Sequence, residues 1–149
     1  MTATTIERNT DGLLSSGVPA FKNFGVKGGE KILYGTIVMA TTTGYAAEAF
    51  TTDEGIGAVG VALATVDNLT GSDGDKTVDV GMGVYYFFNS AGEDAITAGD
   101  FGSVCFIVDN QTVAKTSADG ARSRAGIVWD INPSGQVGVL FGQNTRGSN

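Results

Sequence analysis

The sequence predicts an all-β protein: a single-domain antiparallel sandwich or barrel of about eight strands, with an extended N-terminal arm. Three observations predict it. First, 23 of the 149 residues are glycine, about twice the usual share. They are spaced so that the longest glycine-free run goes only from Ser103 to Asp119, with the turn-like pair Asp109-Asn110 inside it. Each interior glycine costs a helix ~1 kcal/mol, so long helices are disfavoured. Second, apolar residues alternate with small or polar ones at period two. Third, Asn132-Pro133-Ser134-Gly135 carries the residue preferences of a type I turn between two such alternating runs.

The strands follow in order. Lys31 to Met39 and Tyr45 to Phe50 are the first expected in the domain. Val59, Val61 and Leu63 alternate with Gly60, Ala62 and Ala64, a small-residue face suited to close approach of another backbone. Thr77 to Phe88 has the clearest alternation, with Val78, Val80, Met82, Val84, Tyr86 and Phe88 on one face. Glu93 to Ala98, closed by Gly99, reads as one helical turn. Ser103 to Val108 is expected to pair with Gln111 to Thr116 across Asp109-Asn110. Ala125, Ile127, Trp129 and Ile131 share an apolar face opposite Gly126, Val128 and Asp130. Val137, Val139 and Phe141 form the last strand, in a hairpin with the one before.

Residues 29–142 make up the β domain. Residues 1–28 hold isolated apolar residues without a period, and read as an arm that is not itself a packed element. Residues 143–149 form a polar C-terminal tail.

Composition excludes several functions. There is no histidine and only one cysteine. A Ser-His-Asp triad, a Cys-His dyad, a Cys/His zinc site and an intrachain disulfide are therefore unavailable. The net charge is −7 and no basic run occurs, which argues against nucleic acid and against anionic membranes. No apolar stretch approaches the ~20 residues of a membrane helix, and Met1 to Thr5 lack the pattern of a secretory signal.

Four segments could carry chemistry. Asp67, Asp73, Asp75 and Asp79 lie in one Gly/Asp-rich stretch that could offer oxygen ligands to a hard cation. The EF-hand spacing is absent, and a solvated loop explains the same residues. Gly55-Ile56-Gly57-Ala58-Val59-Gly60 matches a dinucleotide-binding pattern by letter only, because a strand follows where the mechanism needs a helix. Cys105 reads as a small core residue, and no cofactor, metal or catalytic site is expected. Tyr85-Tyr86-Phe87-Phe88 cannot all point into one monomer's core; they read either as a strand buried between two layers or as a strand with a side given to a partner. Tyr85 and Phe87 are thus candidates for an oligomer interface, where aromatics are enriched. Phe21 and Phe24, isolated in the arm, are candidates for docking on a neighbour.

Several short pieces together resemble a known family. They are Gly55 to Ala62, Asp67-Asn68 with the Gly/Asp loop after it, Val78-Asp79-Val80 with Gly83, Ile96 to Val104, Val108 to Val113, and Arg124 to Val128. Across roughly Lys31 to Gly142 the chain resembles the capsid decoration, or cement, proteins of tailed bacteriophages. The resemblance implies a non-enzymatic virion structural protein, made in the host cytoplasm and placed on the outer surface of the head. It would bridge major capsid protein subunits as a homo-oligomer, a homotrimer before a dimer. The alternative is a virion-surface or adhesin-type carbohydrate-binding β module.

Overall fold

A computed structural model describes residues 2–8, 10, 12–13, 21–49 and 55–142. The arm's remaining residues, Phe50, residues 51–54 and the tail at 143–149 lie outside the described residues. The described chain is all-β, with two single-turn 3-10 segments and no α-helix. In chain order the strands are β1 (Gly12–Leu13), β2 (Phe21–Gly25), β3 (Glu30–Ile32), β4 (Ile37–Thr41), β5 (Ala46–Glu48), β6 (Gly55–Ala62), β7 (Val66–Asn68), β8 (Thr77–Gly81), β9 (Gly83–Asn89), β10 (Val104–Asp109), β11 (Thr112–Ala114), β12 (Arg124–Ile131) and β13 (Val137–Phe141).

The C-terminal half closes on itself. Strands β9, β11, β10, β12 and β13 pair in that order, and β13 returns to β9, making a five-stranded barrel to which β1 adds at β9. All pairings are antiparallel except β11 with β9, which is parallel. Against the barrel lies a sheet in the order β2-β8-β6-β4-β5, whose two ends meet in a parallel bridge between Val26 and Ala46, and β3 with β7 forms a third, two-stranded layer.

Both faces of the middle sheet are buried. Ile37, Met39, Ala58 and Val61 point into the barrel-side core with Tyr85, Phe87, Ile107, Val113, Val128, Val139 and Phe141. Val38, Ala62, Val78 and Val80 point the other way, onto Val26, Ile32 and Ala46. Alternate residues of β4 thus serve different cores, which period-two geometry makes possible in one strand. More strands are present than expected because several expected runs divide. Lys31 to Met39 breaks into β3 and β4 at Gly35, whose φ is 81°.

The run Thr77 to Phe88 divides too, and its inward face switches. Val78 and Val80 are buried in β8, whereas Tyr85 and Phe87 are the inward residues of β9. Gly81, Met82 and Gly83, with Gly83 at φ 121°, carry the chain from the middle sheet into the barrel. The two strands never share a sheet, so one alternating face cannot persist through both. The expected hairpins hold. Strand β10 pairs with β11, and β12 pairs with β13 around the 132–135 turn. There Asn132 Oδ1 accepts from the backbone N–H of Ser134 and of Gln136, and Gly135 takes a φ of 86°. The single helical turn expected at Glu93 to Ala98 is instead two 3-10 turns, Gly92–Asp94 and Ala98–Asp100.

The N-terminal region departs from the unpacked arm expected of it. Strand β2 pairs along its length with β8, and Val26 is fully buried. Further upstream, Asn110 Oδ1 accepts from Thr4 N–H at 2.9 Å, and Asn110 Nδ2 donates to Thr4 C=O at 3.2 Å. Arg8 N–H donates to Tyr34 C=O, and its guanidinium lies 4.9 Å from the centroid of Phe87. The packed domain therefore starts before residue 29.

Candidate functional site

Of the two residues expected to dock on a neighbour, one is exposed. Strand β2 ends the middle sheet; its outer edge has no strand partner along Phe21–Gly25 among the described residues, and just past it Val26 bridges Ala46 of β5 in parallel. Phe21 is 58 % exposed on it. Phe24 is three residues on and therefore faces the opposite way. It is half-buried against the second core, with the Lys22 ammonium 5.0 Å from its ring centroid. Asn23 Nδ2 donates to Asp79 Oδ1 at 2.9 Å, which ties the strand to β8 on its inner side.

Tyr85 and Phe87 do not present an exposed interface. Phe87 is fully buried and meets Phe141 edge-on at 5.8 Å, and Tyr85 is buried against the same ring at 6.4 Å. The barrel's interior accommodates these two because Tyr86 and Phe88 point outward. Phe88 is covered by the Arg8 guanidinium at 5.3 Å, and Tyr86 donates its hydroxyl to Asp130 Oδ2 at 2.6 Å. That bond raises the Tyr86 phenol above its usual range.

The acidic stretch is organised as a loop by backbone N–H groups of its own and of Gly28. Asp67 Oδ1 accepts from Leu69 N–H, Asp73 Oδ1 from Gly28 N–H, and Asp75 Oδ2 from Ser72 N–H. The buried Asn68 amide donates to the carbonyls of Val26, Lys27 and Ser72, joining this loop to the start of the domain. Among the described residues no three acidic, cysteine or histidine side chains converge as a metal site. Gly55 to Ala62 is strand β6, with no helix opening on the glycines. Cys105 is fully buried, and burial pushes its thiol up to about 12.

A second polar centre joins the layers. Asn110 is fully buried; its carbonyl accepts from Ile37 N–H, and its amide donates to Glu48 Oε1 at 2.6 Å as well as to Thr4. Burial, reinforced by the nearby Glu30 carboxylate, raises the Glu48 carboxyl above its ordinary value. A raised folded-state value means the folded protein holds that proton more tightly, so Glu48 opposes folding above it.

Sequence reasoning misplaced one surface feature. Trp129 was expected on the apolar face of its strand. A β-bulge intervenes between Val128 and Asp130, which pair with Val139 and Gly138. The extra residue is Trp129, and it is 46 % exposed. Phe101, 62 % exposed, stands beside it with ring centroids 5.5 Å apart and planes at 46°. The two rings, with Ala98, Val128, Asp130 and Ile131, line an open depression of about 290 Å³.

Local bonds fix Phe101 in place. The 3-10 turn before it is closed by a capping box in which Asp100 accepts from Thr97 N–H at 2.8 Å. Gly102, at φ 84°, donates to Val128 C=O, and Val128 N–H donates to Ser103 C=O, both at 2.8 Å. Lys115 pairs with Asp100 at 3.3 Å. The Thr97 N–H foremost, and then Lys115, hold the Asp100 carboxyl below the usual range. Its support is thus present at neutral pH and is lost as pH falls through that lowered value.

Against known proteins, no family model, no curated protein and no solved structure matches this chain.

Proposed function

We propose that the chain is a non-enzymatic structural protein that decorates a tailed-phage head and bridges major capsid subunits on its exterior. The observation that carries this reading is the terminal strand β2, with Phe21 58 % exposed at the end of a sheet whose inner strands are covered on both faces. An unpaired strand edge with an apolar side chain suits addition to, or docking on, a neighbouring subunit. The net charge of −7 keeps such a surface off packaged nucleic acid. The layered core gives the rigidity that a lattice clamp needs, and many symmetry-related copies make individually modest contacts effective. A homotrimer is favoured over a dimer by the resemblance alone. Because Tyr85 and Phe87 are buried, contacts between copies use other residues.

Removing residues 1–27 would strip β2 and the fully buried Val26, so substitution is the cleaner test. Phe21→Lys leaves the melting temperature unchanged, because the side chain is exposed. It lowers affinity for heads about tenfold or more if Phe21 is an anchor of the contact. Occupancy is read by densitometry of purified heads. Wild-type occupancy by the variant rejects the edge strand as the contact.

The exposed Trp129–Phe101 pair favours a second reading, a carbohydrate-binding module, because an aromatic platform is available on the surface after all.

A further inference from the structure

We infer that the depression lined by Phe101 and Trp129 is a receptor for a cationic side chain, arginine before lysine, presented by a partner protein. The bulge makes the arrangement possible. On a regular strand Trp129 and Asp130 would face opposite ways, yet here both are exposed and both line the same depression. The two rings already touch, tilted at 46° with centroids 5.5 Å apart, so a guest rests on the outer indole face and not between the rings. Trp offers the strongest aromatic face to a cation.

The Asp130 carboxylate completes the site. Tyr86 holds one oxygen, Oδ2, at 2.6 Å, and Oδ1 has no partner among the described residues. Tyr86 is in turn seated over Gly138, where a Cβ would meet its ring at 3.0 Å, so the carboxylate is held from beneath. A guanidinium can stack on the indole while donating to that oxygen, which a compact ammonium does less well. No lysine or arginine among the described residues lies over either ring; the cation–π contacts seen are those of Arg8 and Lys22 elsewhere. The −7 net charge further selects a basic partner over an acidic one. The inference depends on the decoration reading only for who the partner is.

Trp129 is the only tryptophan in the chain, so intrinsic fluorescence reports on this site directly. The full chain is titrated with N-acetyl-arginine amide, with its uncharged isostere N-acetyl-citrulline amide, and with methyl glucoside. The expected result is a saturable, salt-sensitive change with the arginine compound alone. Asp130→Asn, which keeps the shape and removes the charge, weakens it about three- to fivefold. Phe101→Ala, at an exposed position, weakens it comparably and guards against a folding defect in the first variant.

An equal response to citrulline, no response to arginine, or full affinity in both variants overturns the inference. Saturation by methyl glucoside alone overturns it in favour of the carbohydrate-binding reading. Head occupancy is measured separately. An arginine response without binding to heads rejects decoration and keeps the cation site; binding to heads without an arginine response does the reverse.

Discussion

Replacing Phe87 by alanine is expected to cost the folded chain ~3–5 kcal/mol, the usual penalty for emptying a large buried aromatic site. Phe87 is fully buried, lies edge-on to Phe141 at 5.8 Å and shares the barrel interior with Ile107, Val113 and Val139. A closed barrel has little freedom to collapse around the void, because its strands are tied on both sides. The loss corresponds to a fall in Tm of roughly 10 °C, read by thermal denaturation at fixed protein concentration. The same substitution separates the two roles considered for Phe87. A variant that dissociates into monomers with unchanged monomer stability would return it to a subunit contact.

A methyl group at Gly126 is the second large effect. Its Cβ would stand 2.5 Å from the carbonyl oxygen of Leu140 and 2.8 Å from Val139 Cγ1. Both belong to β13, the strand hydrogen-bonded to β12, so relief requires parting a ladder that closes the barrel. Gly126→Ala is expected to destabilise by ~1–3 kcal/mol or more, measured by urea unfolding. Gly99→Ala is the control. Its nearest neighbour is Thr97 Oγ1 at 3.7 Å, an ordinary contact, and it is expected to be close to neutral. Equal stability of the Gly126 variant and the control would show that the strands can part at little cost.

These two positions also show how much was legible from the residues. The all-β class, the hairpin at 132–135 and the pairing of β10 with β11 follow from local turn chemistry and alternation, which act over a few neighbours. The switch of inward face between Val80 and Tyr85 does not. It arises because Gly83 adopts a positive φ and the chain changes sheets there. An alternating pattern looks the same on either side of such a corner.

The strand glycines were legible as places of close approach, but not what approaches. At Gly126 it is the chain's own β13, at Gly138 the ring of Tyr86, and at Gly60 the carbonyl of Gly81. The spaces suited to close approach of another backbone are filled from within the chain. The position of Phe21 at an edge and of Phe24 against the core follows once β2 is known to be a strand. The arm's lack of a period concealed that.

The Phe101–Trp129 surface was concealed for a related reason. Two bulges shift the alternation: Ala125 and Val128 both face the core although three residues apart, which turns Trp129 outward, and the extra residue Trp129 lets Asp130 face outward too; nothing in the residues announces either. The capping box at Thr97 and Asp100 was the nearest available signal, since it marks where Phe101 is held. Sequence alone could not place that turn beside β12.

The most direct test of a decorating role is the stability of heads themselves. To test the proposal, bare, DNA-filled heads of a candidate tailed phage are heated with and without the purified protein, and DNA release is followed by dye fluorescence. Decoration predicts saturable binding and a higher release temperature for wild type, with the gain reduced for Phe21→Lys. Release at the same temperature with saturating protein would contradict a stabilising role on the capsid.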